Sequence, residues 1–362
     1  MKILHVISNL DAGGAQTFVV MLAIEQKKTG NDVSILLTDR LTNSQFERNL
    51  LQKLWFHSVR LYNANRKVGR NFSIFYCLLN VIKILNSTRP DVVNSHLPLS
   101  HLLTAFCVYF SAITTKKHIL TIHNGPEIWS KLNLLFNRSK ASIYCSKASF
   151  DTSIKRNCNY LVIENAIAQP EIKMHIVDSD MKTMIGKRKM VLCVGRLSKQ
   201  KNYDLLIAIA KRFADDNVAF VVAGPSSDST NEDLANFKTI NNIFYVGTLI
   251  PEQIHYLMHE CDCFLNTSYY EGLPISVLEA FFIGCPCLLS PIAPHIEIGS
   301  NMPYCYIPSG FDLNSFTEKL NGILSDAKDK NDIFRERFDS LKKFRIENTA
   351  STYIKFYNEL SR

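Results

Sequence analysis

The chain has 362 residues, more than one ordinary hydrophobic core holds, so its length predicts about two domains. Hydrophobic residues make up 46% of the chain and charged residues 20%, a balance that excludes a disordered or fibrous protein. Residues 1–165 hold 20 lysines and arginines against 9 acids (+11), and the remainder holds 21 against 24 (−3), so the net charge of +8 comes from the N-terminal half. This basic half either meets an anionic partner or is a solvated surface.

The termini and apolar runs bear on localisation. The opening MKILHVISNLDAGG lacks the apolar segment and cleavage site of a secretory signal. The longest apolar run, residues 101–113, is too short to span a bilayer, so we expect a cytoplasmic protein. Ten cysteines are scattered through β-like runs. We expect the pairs Cys261/Cys263 and Cys285/Cys287 to be buried thiols rather than a zinc site, because alternate residues share a strand face.

Short β-branched runs alternate with helical segments along the whole chain. In order, the runs are KILHVIS, VSILLT, DVVNSH, HILTIH, SIYCS and YLVIEN, followed by MVLCVG, VAFVVAG, IFYVG, CDCFLNTS, CPCLLS and YCYIPS. Runs this apolar, bounded by turn residues and separated by helices, indicate parallel strands buried on both faces. The pattern predicts an α/β protein.

The alternation stops once, over the polar residues 167–188, and restarts at Met190. We therefore predict an N-terminal domain over residues 1–166, a linker over 167–188 and a C-terminal domain over 189–346. A terminal helix at about residues 347–362 is expected to pack back on the N-terminal domain. Each domain should be a doubly wound parallel sheet. Ligands bind beyond the carboxyl ends of such strands, so two facing sheets predict a cleft between the domains.

Two kinds of strand-end loop stand out in the N-terminal half. Gly13 and Gly14 follow the first strand and precede a helix, so their amides could approach an anion closely, although a tight turn explains the pair equally well. His96 and His123 end successive strands at the same sheet edge, where a histidine can donate, accept or shuttle a proton. A core histidine satisfied by its neighbours is the alternative for each.

In the C-terminal half, the segment VGRLSKQKN places Arg196 and Lys201 on either side of a short loop. The preceding strand ends at Gly195, and an amphipathic helix begins near Asn202. A planar guanidinium and a compact ammonium at the mouth of a strand suit a diphosphate. Solvated loop cations are the alternative interpretation.

The segment EGLPISVLE carries two acids around a predicted helix start. Glu271 follows a strand, Pro274 is expected to be the first helical residue, and Gly284 to end the helix. Glu279 lies more than one turn into that helix. Glu271 as a helix cap and Glu279 as a solvent-facing residue are the alternatives. The backbone at the helix start predicts an anion or sugar site formed by Gly272, Leu273, Pro274 and Ile275.

Taken in order, the Gly-Gly loop, the two strand-end histidines, VGRLSKQKN and EGLPISVLE resemble the GT4 family of retaining glycosyltransferases. The resemblance runs the length of the chain and is strongest over residues 190–290, which include EGLPISVLEAFFIGCPCLLS. It implies the GT-B fold, with two facing Rossmann-like domains. It also implies transfer of a sugar from a nucleotide-sugar donor, UDP- or GDP-linked, to a glycan or lipid-linked acceptor in bacterial surface polysaccharide assembly, such as O-antigen, capsule or lipopolysaccharide.

The family's roles transfer to matching positions. Arg196 and Lys201 would neutralise the donor's diphosphate, with Gly14 near it. Glu271 would contact the transferred sugar, and Glu279 the nucleotide ribose. Gly272, Leu273, Pro274 and Ile275 would complete the donor site.

His123 would lie at the reacting centre, so the resemblance makes His123 and Glu271 the catalytic candidates. We assign Gly13 and His96 to the acceptor side. The resemblance implies neither cofactor nor metal, because arginine and lysine replace the cation that other glycosyltransferases hold with Asp-x-Asp. The chain's literal match to that motif, residues 178–180, falls in the predicted linker.

Two loops depart from the family pattern. Asn165-Ala166 replaces the usual Asn-Gly, which demands a different or strained turn, and residues 291–299 lack a frequent Gly-Gly while keeping an acid at Glu297.

The resemblance also implies that the basic half rests on the inner face of the cytoplasmic membrane. A nucleotide-sugar 2-epimerase of the same fold is the alternative enzyme. A nucleic-acid-binding protein is a remote alternative, because no recognition-helix, RNP or zinc-finger signature is present.

Overall fold

A computed structural model describes eight stretches of the chain, residues 1–70, 72–110, 118–123, 139–152, 159–173, 186–226, 231–326 and 328–360. The chain divides into two compact units. The first unit comprises Met1–Ala168 together with Phe344–Arg362, and the second comprises Gln169–Lys343. The first unit is therefore built from both ends of the sequence.

The first unit contains a seven-stranded sheet in the order β3-β2-β1-β4-β5-β6-β7, and its neighbouring strands are parallel. The strands are β1 (Lys2–Ile7), β2 (Asp32–Asp39), β3 (Arg60–Arg66), β4 (Val92–His96), β5 (His118–Ile122), β6 (Ala141–Tyr144) and β7 (Asn159–Val162). The helices described between them are α1 (Gly14–Lys28), α2 (Gln45–Phe56), α3 (Ser73–Thr88), α4 (Pro98–Phe110) and α5 (Lys147–Asp151). Strands β4 and β5 are buried along their whole length, as apolar runs of parallel sheets predict.

The second unit contains a six-stranded parallel sheet in the order β10-β9-β8-β11-β12-β13. Its strands are β8 (Lys189–Val194), β9 (Val218–Ala223), β10 (Ile243–Gly247), β11 (Cys263–Asn266), β12 (Cys287–Leu289) and β13 (Cys305–Tyr306). Its described helices are α6 (Tyr203–Arg212), α7 (Asn231–Lys238), α8 (Pro251–Glu260), α9 (Ile275–Phe282), α10 (Ala293–Gly299), α11 (Leu313–Ser325) and α12 (Lys330–Leu341). The predicted α/β class is confirmed.

Both sheets reverse their strand order at a central pair. In the first unit the reversal lies between β1 and β4, and in the second between β8 and β11. Loops at the carboxyl ends of such a pair diverge and leave a crevice, which is where doubly wound sheets bind ligands. The loop after β1 carries the Gly-Gly pair, the loop after β8 carries Arg196 and Lys201, and the loop after β11 carries Glu271; His96 is the last residue of β4.

The end of the chain returns to the first unit as helix α13 (Ile346–Glu359), which packs against α1. Ile167 and Arg345 form a parallel bridge where the chain leaves and re-enters the unit. Asn94 of β4 donates a hydrogen bond of 2.8 Å to the hydroxyl of Tyr357 on α13. Tyr353 and Tyr357 are fully buried, so the last helix is part of the first unit's core.

Several smaller expectations can be compared with the structure. Both members of each Cys-x-Cys pair are buried free thiols, although the Cys261 and Cys285 sulfur atoms lie 3.0 Å apart. Neither Asn165 nor Ala166 has a positive φ, so the backbone at this departure from Asn-Gly does not take the left-handed conformation that favours glycine. Across the described stretches, no helix is long and apolar enough to cross a membrane.

Candidate active site

The loop after β8 brings Lys201 across the end of the strand. Lys201 closes a 3₁₀ turn formed by Lys199–Lys201, and its side chain passes directly over Gly195. A Cβ atom at Gly195 would lie 2.6 Å from Lys201 Cε, so glycine is what allows this path. Asn202 then takes a left-handed conformation, with φ of 52°, and its side chain caps α6 by accepting from the Leu205 amide. The short turn therefore aims the ammonium back over the sheet edge.

The ammonium of Lys201 meets the carboxylate of Glu271. Lys201 Nζ lies 2.6 Å from Glu271 Oε1, and the Ser268 hydroxyl donates to the same oxygen over 2.7 Å. Gln200 donates to the second oxygen, Oε2, over 3.3 Å. The Glu271 side chain is only 9% exposed. Two residues that sequence reasoning assigned separately, to diphosphate and to sugar, are thus in direct contact.

The charge of Glu271 follows from competing effects. Burial by itself raises the pKa of the carboxyl group, but the Lys201 charge and the hydrogen bonds from Lys201 and Ser268 outweigh it, so the pKa of Glu271 is lowered overall. The carboxylate is therefore ionised at neutral pH and is a hydrogen-bond acceptor only. Arg196, on the same loop as Lys201, is exposed and takes part in no described ion pair.

Helix α9 begins one residue later than the sequence predicted. Pro274 is its N-cap with φ of −74° and ψ of 115°, and Ile275 is the first helical residue. Proline has no amide hydrogen, so Pro274 cannot donate a backbone hydrogen bond to a ligand. Gly272, Leu273, Pro274 and Ile275 are buried. The helix ends as expected: Gly284 has φ of +79°, and the Cys285 amide returns to the Ala280 carbonyl.

Glu279 lies on α9 and is bound from a neighbouring helix. His255 of α8 lies with Nε2 at 3.2 Å from Glu279 Oε1, and both side chains are mostly buried, with exposed fractions of 11% and 13%. Glu279 is therefore held in one orientation rather than extended into solvent, which excludes the solvent-facing alternative.

His295 is a residue of this region that sequence reasoning missed. It is fully buried on α10, and its Nδ1 lies 2.9 Å from the Ser290 carbonyl oxygen. Because a carbonyl can only accept, Nδ1 carries the proton and Nε2 carries a lone pair, to which none of the described residues makes a hydrogen bond. Burial lowers the pKa of His295 to about 4 despite the nearby Glu271 charge. In the sequence, a single histidine in PIAPHIEIG gives no indication that it is buried near Glu271.

In the first unit, the Gly-Gly pair forms the start of α1. Gly13 is the N-cap, with an extended φ of 177°, and Gly14 is the exposed first residue of the helix. The Gly13 carbonyl accepts from both the Thr17 amide and the Thr17 hydroxyl, each over 3.2 Å. This helix N-terminus lies in the loop that follows β1, and anion binding by the Gly13–Gly14 turn stays a prediction.

His96 and His123 are brought together with a third histidine, His5 of β1. His96 Nδ1 lies 2.9 Å from His123 Nε2, and His96 Nε2 lies 3.0 Å from His5 Nδ1. Both ring nitrogens of His96 are thus engaged by protein, and the side chain is fully buried. His96 is therefore a buried neighbour of His5 and His123, and its acceptor-side role stays a prediction.

The described residues contain no group of three or more histidine, cysteine or acidic side chains that could hold a metal ion. The Asp-x-Asp match at residues 178–180 lies outside the described residues. The positive charge available at the second unit's strand ends comes from Arg196 and Lys201.

Two family models match the chain. Residues 12–167 match the model described as Glycosyltransferase Family 4, and residues 178–338 match the model described as Glycosyl transferases group 1. The two matches follow the two units and cover the strand-end loops described above.

Individual proteins agree with the family models. A UDP-Gal:alpha-D-GlcNAc-diphosphoundecaprenol alpha-1,3-galactosyltransferase of Escherichia coli is 25% identical over 342 residues, covering 82% of this chain and 84% of its own. The O-antigen biosynthesis glycosyltransferase WbnH of Escherichia coli is 29% identical over 164 residues, 45% of each chain. The structure of Anabaena HepE in complex with UDP and glucose superposes with a TM-score of 0.79 at 15% identity, over 99% of this chain and 100% of that one. This chain therefore belongs to the GT4-type glycosyltransferases, has their α/β GT-B fold, and is a glycosyltransferase enzyme.

Proposed function

We propose that this enzyme transfers a sugar from a UDP-sugar donor to a glycan or lipid-linked acceptor during assembly of a bacterial surface polysaccharide. The observation that carries the proposal is the Lys201–Glu271 contact at the switch point of the second sheet, with exposed Arg196 on the same loop as Lys201. The relatives named above support the acceptor class, because one of them is named for a diphosphoundecaprenol-linked substrate and another for O-antigen biosynthesis. HepE, which binds UDP and glucose, supports a UDP-sugar as donor.

The donor would be bound by complementary charges. Lys201 uses one of its three N–H donors on Glu271, which leaves two for phosphate oxygens, and Arg196 offers a planar fork to the same diphosphate. The ionised Glu271 would accept hydrogen bonds from hydroxyls of the transferred sugar. Glu279, held by His255, would accept from the ribose. The start of α9 at Ile275 adds a helix N-terminus that favours oxygen anions.

The chemistry that fits these groups is metal-independent transfer with retention of configuration. The bond from the anomeric carbon to the phosphate oxygen breaks, and Arg196 and Lys201 stabilise the negative charge that the leaving diphosphate gains. The acceptor oxygen forms the new bond on the face that the diphosphate leaves, and its proton passes to the departing phosphate oxygen. No protein nucleophile is required in this scheme. His123 would contact a substrate hydroxyl at the reacting centre.

A second part of the proposal concerns the membrane. Helices α3 and α4 pack together through Cys77, Val81 and Cys107, yet their outer faces are covered with apolar and aromatic side chains. These side chains are 41–88% exposed and recur at helical spacing: Phe72, Phe75, Tyr76, Leu79, Phe106, Tyr109 and Phe110. Exposed Lys67, Arg70 and Lys83 accompany them.

A surface of aromatic side chains beside basic ones suits the interfacial region of an anionic bilayer. We therefore assign this α3–α4 aromatic surface to peripheral binding on the inner face of the cytoplasmic membrane, where a lipid-linked acceptor is reached. Each basic residue near an anionic leaflet adds about 1 kcal/mol of attraction.

Activity is tested by incubating the purified enzyme with UDP-, GDP-, ADP- and CMP-sugars, with and without a synthetic lipid-diphosphate-linked sugar. We expect UDP-sugar turnover that depends on the acceptor, continues in EDTA, and yields a product with the anomeric configuration of the donor by NMR. Inversion at C2 of the nucleotide sugar without acceptor would instead identify a 2-epimerase. Turnover that requires a divalent cation would contradict the metal-independent scheme.

The assigned cations are tested by Arg196→Ala and Lys201→Ala. Each change removes a charge-assisted contact to the leaving group, worth roughly 1.5–3 kcal/mol, so the rate should fall about 10- to 150-fold. Lys199→Ala is the matched control, because Lys199 lies in the same 3₁₀ turn but is exposed. Unchanged kcat and KM in both site variants would refute the diphosphate assignment.

Membrane binding is tested by co-sedimentation with vesicles of phosphatidylglycerol and phosphatidylethanolamine. The double variant Phe75→Ser and Phe110→Ser should bind far less than wild type, whereas Phe338→Ser, on α12 of the second unit, should bind like wild type. Binding of wild type should weaken with salt and on neutral phosphatidylcholine vesicles. Failure of wild type to sediment with anionic vesicles would exclude this surface as a membrane contact.

A further inference from the structure

Four buried side chains of the first unit form a continuous line of hydrogen bonds. Gln26 of α1 contacts His5 of β1, with 2.7 Å between Gln26 Oε1 and His5 Nε2. His5 Nδ1 contacts His96 Nε2 at 3.0 Å, and His96 Nδ1 contacts His123 Nε2 at 2.9 Å. His5 and His96 are inaccessible to solvent, and His123 is 6% exposed. The line ends at His123 Nδ1, a buried atom that makes no hydrogen bond within the described part of the chain.

All three rings are neutral at physiological pH. Burial lowers the pKa of His5 to about 4, with the Gln26 hydrogen bond opposing part of the effect, and lowers the pKa of His123 to about 3. Burial also holds the pKa of His96 well below its usual value, reinforced by its two histidine neighbours. Each ring therefore carries a single N–H, on one of its two nitrogens.

The amide oxygen at one end decides where each proton lies. Oε1 of Gln26 can only accept, so the proton of His5 is on Nε2 and its Nδ1 is a lone pair. That lone pair must accept from His96, which places the proton of His96 on Nε2. By the same step His123 donates from Nε2, and its Nδ1 is left as an unprotonated acceptor. One acceptor at Gln26 thus sets three tautomers in succession.

We propose that Gln26 and His5, acting through His96, are positioning residues that hold His123 in the Nε2–H tautomer and present its Nδ1 lone pair to a donating hydroxyl group. The identity of that hydroxyl as belonging to a sugar substrate rests on the proposed function. The ring of His123 is also held from its side by Phe18 of α1, whose ring centroid lies 5.5 Å away in an edge-on arrangement. Orientation and tautomer are therefore fixed by separate contacts.

The arrangement limits what His123 does. A histidine whose conjugate acid has a pKa of about 3 is a weak base, so Nδ1 orients a hydroxyl by accepting its hydrogen bond rather than by removing its proton. The tautomer matters because an Nδ1–H group is a donor and could not accept the hydrogen bond that the hydroxyl donates. If every hydrogen bond from Gln26 to His123 ran in the opposite direction, His123 Nδ1 would be a donor instead of an acceptor.

The direct test is the nitrogen spectrum of the intact, ¹⁵N-histidine-labelled protein at neutral pH, assigned by single His→Gln variants. We expect His5, His96 and His123 each to show the Nε2–H pattern, with no change between about pH 6 and pH 8. An Nδ1–H tautomer at His123, which a Gln26 amide turned the other way would impose, overturns the proposal. So does titration of any of the three rings in that range.

Substitution of Gln26 then separates positioning from packing. Gln26→Met keeps the length of the side chain but removes the amide acceptor, so both tautomers of His123 should become populated and kcat/KM should fall about 3- to 10-fold. Gln26→Glu restores an acceptor oxygen and should restore the Nε2–H signal. His101→Gln is the control, because His101 belongs to a separate buried group around Ser95; it should leave the His123 signal unchanged.

The outcomes distinguish this inference from the proposed function. An unaltered His123 signal in Gln26→Met refutes the positioning role whatever the activity. Fixed Nε2–H tautomers that respond to Gln26→Met, in a protein that turns over no nucleotide sugar, leave the proton arrangement established and refute the proposed function.

Discussion

Replacing Gly195 with alanine should disconnect Lys201 from Glu271 while leaving the second unit folded. The new Cβ would lie 2.6 Å from Lys201 Cε, 3.0 Å from Cδ and 3.1 Å from Nζ, and contacts under 3.0 Å are not tolerated. All three atoms belong to the far end of a flexible side chain, so the lysine rather than the backbone gives way. The displaced ammonium leaves both Glu271 and the proposed diphosphate position.

The size of the effect follows from the contact that is lost. A charge-assisted hydrogen bond is worth roughly 1.5–3 kcal/mol, so donor turnover should fall about 10- to 150-fold, as for Lys201→Ala. Without Lys201, less opposes the effect of burial, so the pKa of the Glu271 carboxyl group should rise relative to wild type. The acidic limb of the pH–rate profile should therefore move to higher pH in Gly195→Ala.

Two other glycines provide matched controls for the same substitution. Gly322, in α11, has open space around an added Cβ, so Gly322→Ala should keep full activity and gain about 0.5–1 kcal/mol of stability from helix propensity. Gly224 has φ of +153° and would place its Cβ 2.0 Å from the Gly195 carbonyl oxygen, so Gly224→Ala should lower the melting temperature. Kinetics and thermal unfolding are measured on all three. Wild-type kinetics in Gly195→Ala would refute the reasoning.

Two further predictions concern stability. The buried Arg337 guanidinium donates to the backbone carbonyls of Pro303, Phe281, Cys285 and Tyr304. Arg337→Met should therefore lower the free energy of unfolding in urea by roughly 2–4 kcal/mol. Exposed Arg335→Met is the control, and an equal loss of stability in both variants would contradict this prediction. Four buried histidines have folded-state pKa values of about 3 to 4, below the unfolded value near 6.5, so their contribution to stability is present above about pH 6.5 and is lost as the pH falls. Calorimetry at about pH 5.5 should find uptake of about one proton on unfolding for each, and none at about pH 8. The four are His5, His118, His123 and His295; a proton uptake near zero at the lower pH would exclude their neutral burial.

The parts of the fold that the sequence predicted are those with a local signal. Continuous apolar runs such as VAFVVAG can be satisfied only between two layers of helices, so the parallel sheets followed from them. Helix α9 was placed correctly except at its start. There Pro274 takes ψ of 115°, which ends the extended segment instead of opening the helix, and nothing in the letters Gly-Leu-Pro distinguishes these two uses of proline.

The site was harder to predict because its contacts join distant residues. Lys201 and Glu271 each stood out as a strand-end charge, but their ion pair spans 70 positions and depends on β8 and β11 being neighbours. His5 drew no attention, because a histidine inside an apolar strand has no local signature. Its role appears only when β1, β4 and α1 bring His96 and Gln26 to its two nitrogens.

The discontinuous first unit has a consequence for biosynthesis. A ribosome delivers the continuous segment Gln169–Lys343 before it makes α13, so the second unit is able to fold before that helix is present. The first unit must wait, because Tyr353 and Tyr357 fill its core and are made after that segment, and the Tyr357 hydroxyl accepts a hydrogen bond from Asn94. Nascent chains stalled shortly before α13 should therefore carry a protease-resistant second unit and a protease-sensitive first one. Assembly of the first unit is thereby tied to the synthesis of α13.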